Sequence, residues 1–244
     1  MNKTALSGKS APNLKEAIGS GIVSATKVNL SALNLAAPAS NRVLWELAQN
    51  KTWLTAAEKL KIVSSSANDD VGSTGATVVT IYGLTSAYVL QSEDISMNGV
   101  AAVESIKEYI AFLYAEVKTD GGTEYNEGNI TITDNAATGY LGYMPLGYNK
   151  SAGLFYTVPA GYELVISDVQ FSETANKSSR FILWVKEYGL HAKAEKQQVL
   201  IMNSEQSEYY RVIPEKSDVW VSGYSTGGSG VISGQINGWL QLNS

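Results

Sequence analysis

β-Branched and alternating apolar positions in the middle of the chain predict a small antiparallel sheet. Residues 77–82 are all β-branched or aromatic, and turn-forming segments bound them on both sides. A second extended segment covers 88–97, and Asn98-Gly99 then supplies a pair that tolerates positive φ in a tight hairpin turn. Together with the later run ITIT, this pattern predicts a first β-sandwich module over residues 61–136.

A second series of short strands is predicted over residues 153–244. The segment 162–171 alternates apolar and polar residues, whereas 180–188 (RFILWVKEY) is apolar on both faces at its centre, as expected of a strand buried between two layers. Further strand-like segments lie at 197–202, 208–213, 218–224 and 230–242. Their spacing, with turn residues between them, is typical of an antiparallel β-sandwich.

Glycine and tyrosine residues are interspersed between the two predicted modules. We interpret residues 137–152 as a linker for this reason. The tyrosines either form an adaptable contact surface or cover the seam between two sheets. The predicted fold class is therefore all-β, with two antiparallel β-sandwich modules that follow an extended, partly helical N-terminal arm.

The arm and a short packing segment are predicted over residues 1–60. Residues 13–18 predict one helical turn, and residues 42–49 predict a short helix with Asn41 as its cap. We expect the first 40 residues to be removable without unfolding either module. The alternative for this stretch is a disordered tail.

Apolar residues in this N-terminal region predict a surface that contacts another subunit, because so short a segment cannot cover them alone. Two tryptophans join this set, although core or interface packing is favoured for them over a role as a ligand platform. The candidate partner-binding residues are Val28, Leu30, Leu33, Leu35, Trp45 and Trp53.

The composition disfavours several classes of function. The chain has 244 residues and a net charge of −5, whereas binding to nucleic-acid phosphates requires clustered lysine and arginine. One histidine and no cysteine leave little for a transition-metal site or a histidine-based triad. No run approaches the roughly 18 apolar residues that span a bilayer, and no apolar core follows the N-terminal lysines as in a secretory signal. We expect a soluble, cytoplasmically synthesised protein that binds neither nucleic acid nor membrane.

The candidate catalytic patterns are all incomplete. Gly8-Lys9-Ser10 ends like a phosphate-binding loop but lacks the first glycine and a preceding strand. His191 has no second histidine, and Ser222 lacks the strand-to-helix context of a nucleophile elbow. Glu93 and Asp94 are adjacent on a predicted strand, so they point to opposite faces and cannot act on one substrate. We therefore predict no catalytic residues.

One acidic turn presents oxygen ligands of the kind that calcium prefers. It contains Asn68, Asp69 and Asp70, but the spacing of known calcium loops is absent. The prediction is accordingly that the chain has no metal site and no cofactor.

The central segment resembles a module of tailed-bacteriophage structural proteins. Residues 64–99 (SSSANDDVGSTGATVVTIYGLTSAYVLQSEDISMNG), followed by EGNITIT, are similar to a pattern of the type SSSANDTAAGTGARTVTIxGLDxxYxxxSETVTLNG and then AGxITIT. Further on, YTVPAG and IPEKSDVWV resemble strands of the second sandwich in such chains. The likeness covers roughly residues 61–242. It departs from the pattern at Asp94-Ile95, and the N-terminal arm has no counterpart.

This resemblance implies a non-enzymatic virion structural protein that binds a particle in many copies, first of all a capsid decoration or auxiliary head protein. The implied partners are the major capsid protein, other virion proteins and further copies of the chain, and the implied location is the virion. A neck or tail adaptor is the alternative within this class. A fibre-like carbohydrate (receptor)-binding protein, with exposed tyrosine and tryptophan rings as stacking platforms, is the alternative from another class.

Overall fold

The chain folds into antiparallel β-sheets. The computed structural model describes residues 25–35, 38–174, 178–201, 204–225 and 230–243, and no helix occurs within these ranges. The described residues form four sheets whose ladders are all antiparallel, which confirms the all-β class. In chain order the strands are β1 (Thr26–Asn34), β2 (Arg42–Val43), β3 (Glu58–Ser64), β4 (Ala76–Leu84), β5 (Leu90–Ser96), β6 (Val103–Tyr109), β7 (Ala111–Asp120), β8 (Ile130–Thr133), β9 (Tyr140–Met144), β10 (Phe155–Thr157), β11 (Tyr162–Glu173), β12 (Ser178–Lys186), β13 (Lys193–Ile201), β14 (Ser204–Ile213), β15 (Asp218–Ser225) and β16 (Ile232–Leu242).

Two sheets of the C-terminal part contribute to one hydrophobic core. Their strand orders are β1-β16-β11-β14 and β10-β15-β12-β13, with β2 added on β15. The shared cluster includes Ile166 and Phe171 from one sheet and Phe181 and Leu183 from the other. Phe171 and Phe181 stack with ring centroids 4.7 Å apart, so side chains of the two sheets meet directly.

The two remaining sheets contribute to a second core. Their orders are β6-β3-β8-β9 and β5-β4-β7, and the cluster includes Ile62 and Ile132 with Val79 and Ile81. The turn predicted at Asn98-Gly99 is present, with φ of +54° at Gly99. It is not the hairpin turn that the sequence predicted, because the strands that it joins belong to different sheets: β5 pairs with β4, and β6 pairs with β3.

The helix predicted over residues 42–49 is wrong. Residues 42–43 form β2, which pairs with β15, and the following residues are irregular. Leu44 belongs to the C-terminal core and the adjacent Trp45 to the other core, each only 1% exposed. The irregular backbone after β2 places these two neighbours in different cores, whereas consecutive residues of a helix lie only about 100° apart around its axis. The helical turn predicted at 13–18 lies outside the described residues.

Part of the predicted arm is an edge strand. β1 pairs with β16 over its whole length, from Thr26 opposite Leu240 to Asn34 opposite Ile232. Its residues Val28 and Ala32 are buried in the C-terminal core. Residues 26–34 are therefore integral to the sheet with the order β1-β16-β11-β14.

The predicted linker contains regular structure as well. Residues 140–144 form β9, which pairs with β8. Ser151 and Ala115 of β7 exchange bonds: the Ser151 N–H donates to the Ala115 carbonyl oxygen, and the Ala115 N–H donates to the Ser151 hydroxyl, both at 2.8 Å. This segment thus adds to sheets of the N-terminal part before the chain enters β10.

One buried carboxylate organises the turn cluster SSSAND. Asp69 is fully buried, and its Oδ1 accepts hydrogen bonds of 2.8 Å from the backbone N–H groups of Ala76 and Glu127. Its Oδ2 accepts from the Ser64 hydroxyl at 2.5 Å and from the Gly128 N–H at 2.8 Å. These four bonds join the end of β3, the start of β4 and the entry to β8. We call them the Asp69 node.

Two glycines of the same motif are required by close approach to the Asp69 node. A Cβ atom on Gly75 would lie 2.2 Å from the Asp69 Oδ1, and one on Gly128 would lie 2.4 Å from the Ser64 Oγ. Any larger residue at either position would displace the carboxylate or its donor. The motif SSSAND…GTGA…EGNITIT therefore describes a set of mutually dependent contacts.

Candidate partner-binding groove

A cleft of about 850 Å³ runs along the edge of β1. All six residues from 26 to 31 line it, although consecutive strand residues point to opposite faces. The cleft must therefore adjoin the edge of the strand rather than one face alone. A second cavity of about 310 Å³ shares Ser31, Tyr148 and Ala152 with the first and extends from β1 across the sheet, where Ser233 of β16 and Gln170 of β11 line it. We call the two together the β1 groove.

Tyrosines of the sheet β5-β4-β7 line the opposite wall. The register places Tyr82 between Ser92 and Tyr114, so one rung of the sheet carries two adjacent tyrosines. Their rings stack with centroids 4.3 Å apart, and the Lys150 Nζ lies 4.2 Å from the Tyr114 centroid. The Tyr82 hydroxyl donates to the Glu116 carboxylate at 2.7 Å, and this bond, with burial adding to it, raises the pKa of Tyr82 to about 12.

The charges in the β1 groove have one sign. Among its described lining residues, Lys27 and Lys150 are the ones with charged side chains, although the chain as a whole is acidic. The remaining lining is apolar, hydroxyl or amide in character and includes Leu30, Leu90 and Tyr148. Leu90 and Tyr148 are 49% and 44% exposed, so the groove presents apolar surface to solvent.

The four apolar candidates from the N-terminal region have different environments. Val28 is buried in the core with its backbone at the groove, while Leu30 and Leu33 are half-buried and line the groove. Leu35 is 57% exposed and lies beside a separate small cavity. Their role in partner binding stays a prediction, and the groove gives it a location.

The two candidate tryptophans pack inside the protein. Trp45 meets Phe155 edge to face at 5.9 Å, and its Nε1–H donates to the Gln49 carbonyl oxygen at 2.9 Å. Trp53 is half-buried and lies 5.2 Å from Trp220. Both therefore match the packing role that the sequence favoured over a ligand platform.

A buried lysine that sequence reasoning missed lies between the two cores. Lys51 is 8% exposed; its Nζ donates to the Leu141 carbonyl oxygen at 3.0 Å and lies 4.1 Å from the Phe155 ring centroid. Burial lowers the pKa of Lys51 to about 7, an effect partly offset by Asp218. Burial likewise raises the pKa of Asp218, against a 2.7 Å bond from the Thr157 hydroxyl. Nothing in the local sequence NKTWL distinguishes Lys51 from an exposed lysine.

The acidic residues are the candidates for a catalytic or metal site. Among the described residues no group of three or more histidines and acidic side chains is placed to hold a metal ion. The Asp69 oxygens already accept four bonds, which leaves them unsuited to calcium. Glu93 accepts from the Ile106 and Lys107 N–H groups, whereas Asp94 accepts from Thr80 and Lys118. The two carboxylates thus serve different contacts, as expected for adjacent strand residues.

None of the described segments forms a helix of the length and apolarity that crossing a membrane requires.

Comparisons with known proteins identify no family for this chain. No protein-family model matches the chain, and no curated protein matches it. A chain in the structure of infectious bursal disease virus strain Gt is similar at 10% identity over 90% of this chain and 76% of that one, with a TM-score of 0.18. A chain in the crystal structure of the infectious bursal disease virus VP2 subviral particle is similar at 9% identity over 96% and 83%, with a TM-score of 0.17. TM-scores this low do not define a shared fold.

Proposed function

We propose that this chain is a non-enzymatic structural protein of a tailed-phage particle, first of all a capsid decoration or auxiliary head protein present in many copies. The observation that carries the proposal is the Asp69 node. Ser64, Asp69, Gly75 and Gly128 are residues that the chain shares with the phage module, and they contact one another directly. The resemblance therefore rests on a co-dependent three-dimensional arrangement rather than on scattered identities.

The proposal includes a finer description of the fold, namely two β-sandwich modules. Its support is that each hydrophobic cluster draws chiefly on two sheets, with Leu84 of β4 and Leu113 of β7 added to the C-terminal cluster and Phe155 of β10 added to the other. In the central part the Asp69 node fixes the turn between β3 and β4 through four hydrogen bonds. A rigid β scaffold suits a protein whose task is to bind neighbouring subunits.

The proposed partners are the major capsid protein or other virion proteins, and the proposed location is the virion, after synthesis in the host cytoplasm. The β1 groove supports a binding role, because it combines exposed apolar side chains with a strand edge that has no ladder partner among the described residues. Surfaces of this kind on a soluble protein commonly mark interaction sites.

The carbohydrate-binding alternative is less well supported. A saccharide needs an aromatic ring with an open face, yet Tyr114 lies between Tyr82 and Lys150. Trp220 is likewise flanked by Trp53 at 5.2 Å and Trp184 at 6.0 Å. These two aromatic clusters are therefore covered by the protein itself, whereas Tyr148 and Tyr188 are 44% and 64% exposed.

The test is whether the protein belongs to a particle. Particles from a producing culture are separated on a density gradient, and the fractions are probed with an antibody raised against this chain. The proposal predicts that the chain migrates with intact particles and remains after a high-salt wash. Recovery only in the soluble fractions would contradict it.

A further inference from the structure

The direction of the backbone groups in β1 follows from the hydrogen bonds of its neighbour β16. At one end of β16 the Asn243 N–H donates to the Gly161 carbonyl oxygen, and these residues are directly opposite in the register with β11. At the other end the Thr174 N–H donates to the Val231 carbonyl oxygen, again between directly opposite residues. Bonded and non-bonded pairs alternate in an antiparallel ladder. Odd-numbered residues of β16 therefore bond to β11, and even-numbered residues bond to β1.

The same alternation determines which backbone N–H and C=O groups of β1 do not bond to β16. Even-numbered residues of β1 pair with even-numbered residues of β16, as Thr26 does with Leu240. Their N–H and C=O groups therefore point toward β16. The N–H and C=O groups of Lys27, Asn29, Ser31 and Leu33 point the other way, toward the β1 groove. No backbone partner for these four residues occurs among the described residues.

An unpaired edge of this length requires explanation. β1 has nine residues, or about 30 Å of strand at the usual rise per residue. Natural sheets block such edges with prolines, bulges, charged side chains or a covering element. β1 has no proline and a continuous register with β16, and Lys27 is its one charged side chain. The larger cleft of the β1 groove, about 850 Å³, lies along this edge opposite Tyr82 and Tyr114.

We propose that an extended, acidic peptide segment of another protein docks in the β1 groove as an additional antiparallel strand against β1. The outward N–H and C=O groups would supply the ladder, and Leu30, Leu90 and Tyr148 would cover alternate apolar side chains of the peptide. Lys27 and Lys150 would attract carboxylates, and they are the charged side chains of the groove's described lining.

Charge also distinguishes this occupant from the chain's own N-terminal residues. Residues 1–25 contain Lys3, Lys9 and Lys15 but a single acidic residue, Glu16. Such a segment, from the same chain or from a second copy, does not complement a lysine-lined groove. The inference goes beyond the proposed virion role and does not depend on it, because a strand partner is defined by the groove alone.

The first experiment measures amide hydrogen exchange of the full chain, residue by residue, by NMR. An accessible edge predicts that the amides of Asn29 and Ser31 exchange at least tenfold faster than those of Val28 and Leu30, which bond to β16. Equally slow exchange at every protein concentration would show that the chain covers its own edge. Slow exchange only at high concentration would show that a second copy does so. Either result would overturn the proposal.

The second experiment uses a fluorescein-labelled peptide that alternates valine with glutamate over seven residues, titrated by fluorescence polarisation. Asn29→Pro removes an outward N–H and should weaken binding at least tenfold, whereas Asn29→Ala keeps that N–H and should bind within twofold of the wild type. A valine–lysine peptide should bind at least tenfold more weakly. Absence of binding at 1 mM peptide, or equal affinity of the two peptides, would overturn the proposal.

A control that modifies the peptide instead of the protein is used if the Asn29→Pro variant does not fold. The same valine–glutamate peptide, N-methylated at alternate residues so that one edge lacks N–H donors, is titrated against the wild-type protein. Two such peptides, one for each edge, should differ in affinity by at least tenfold. Equal affinities would mean that the peptide does not bind as a strand and would overturn the proposal.

Discussion

Asp69 and Gly128 lie 59 residues apart in the chain, and the Gly128 N–H donates a 2.8 Å hydrogen bond to the Asp69 Oδ2. A buried carboxylate is stable only when its oxygens are well supplied with donors, and Asp69 has four. This single side chain therefore holds three separate segments in register. It accounts for a motif that, as sequence alone, suggested calcium.

Replacing Asp69 should destabilise the protein strongly. In Asp69→Asn an amide N–H₂ group replaces one carboxylate oxygen and faces N–H or hydroxyl donors. At least one hydrogen bond is therefore lost, and its donor is left buried without an acceptor. We expect the free energy of unfolding to fall by about 3 kcal/mol. The matched control is Asp70→Asn, because the Asp70 side chain is partly exposed and accepts a hydrogen bond from the adjacent Val71 N–H, which an asparagine Oδ1 can also accept. The control should change stability by less than about 0.5 kcal/mol. Urea unfolding measures both, and similar losses would refute the role of the Asp69 node.

Lys51 should make stability depend on pH above neutrality. Its pKa in the folded protein is about 7 and in the unfolded chain about 10.4, so between these values the unfolded chain binds more protons. The free energy of unfolding should therefore rise with pH across this window and fall as pH drops toward 7. The expected gain from pH 7 to pH 9 is about 2 kcal/mol.

The variant Lys51→Met isolates this contribution, because it keeps the length of the side chain but cannot titrate. Its free energy of unfolding should lack about 2 kcal/mol of the rise between pH 7 and pH 9. Denaturant unfolding of the wild type and of the variant, each at pH 7 and pH 9, gives the four free energies of unfolding that the comparison requires. A wild-type protein and variant with the same pH dependence would show that Lys51 is not desolvated in solution.

Two N-terminal deletions should behave differently. Removing residues 1–24 leaves β1 intact, whereas removing 1–40 also deletes the strand that covers β16 and buries Val28 and Ala32. We expect the longer deletion to cost at least about 3 kcal/mol more than the shorter one, from lost apolar burial and ladder bonds. Thermal unfolding of the two truncated chains measures the difference. This revises the expectation from sequence that the first 40 residues are dispensable for folding.

Metal removal should leave the protein unchanged. A cation at Asn68 and Asp69 would have to displace hydrogen bonds that the Asp69 node already makes. The melting temperature with excess chelator should match that with added calcium to within about 1 °C. A clear rise on adding calcium would revive the acidic-turn interpretation.

The strands were predictable from sequence because their signals are local. Residues 77–82 and 180–188 fall within β4 and β12 or their immediate flanks, as β-branched content and apolar runs indicated. The error at 42–49 arose because Leu44 and Trp45 also fit a helical pattern. The non-helical backbone there depends on the pairing of β2 with β15 and on the placement of the two side chains in different cores, which no local pattern records.

The groove could not be predicted in the same way. β1 pairs with β16 from the far end of the chain, and Asn29 and Gln235 make contact although 206 residues separate them. No local pattern records such a pairing. The apolar residues Leu30 and Leu33 did signal a contact surface, but the sequence could not show that it lies along an open sheet edge. Lys51 is a similar case, because its burial depends on Leu141 and Phe155.

The central claim is that this protein is a multicopy component of a phage particle. Quantitative mass spectrometry of gradient-purified particles tests it most directly, with labelled peptides of this chain and of the major shell protein as standards. We expect the ratio of this chain to the major shell protein to be constant between preparations. For a decoration role, the copy number of this chain should be comparable with that of the shell protein. A small fixed number per particle would indicate a neck or tail adaptor instead. Absence of the chain from intact particles, or a trace amount that varies between preparations, would contradict the claim.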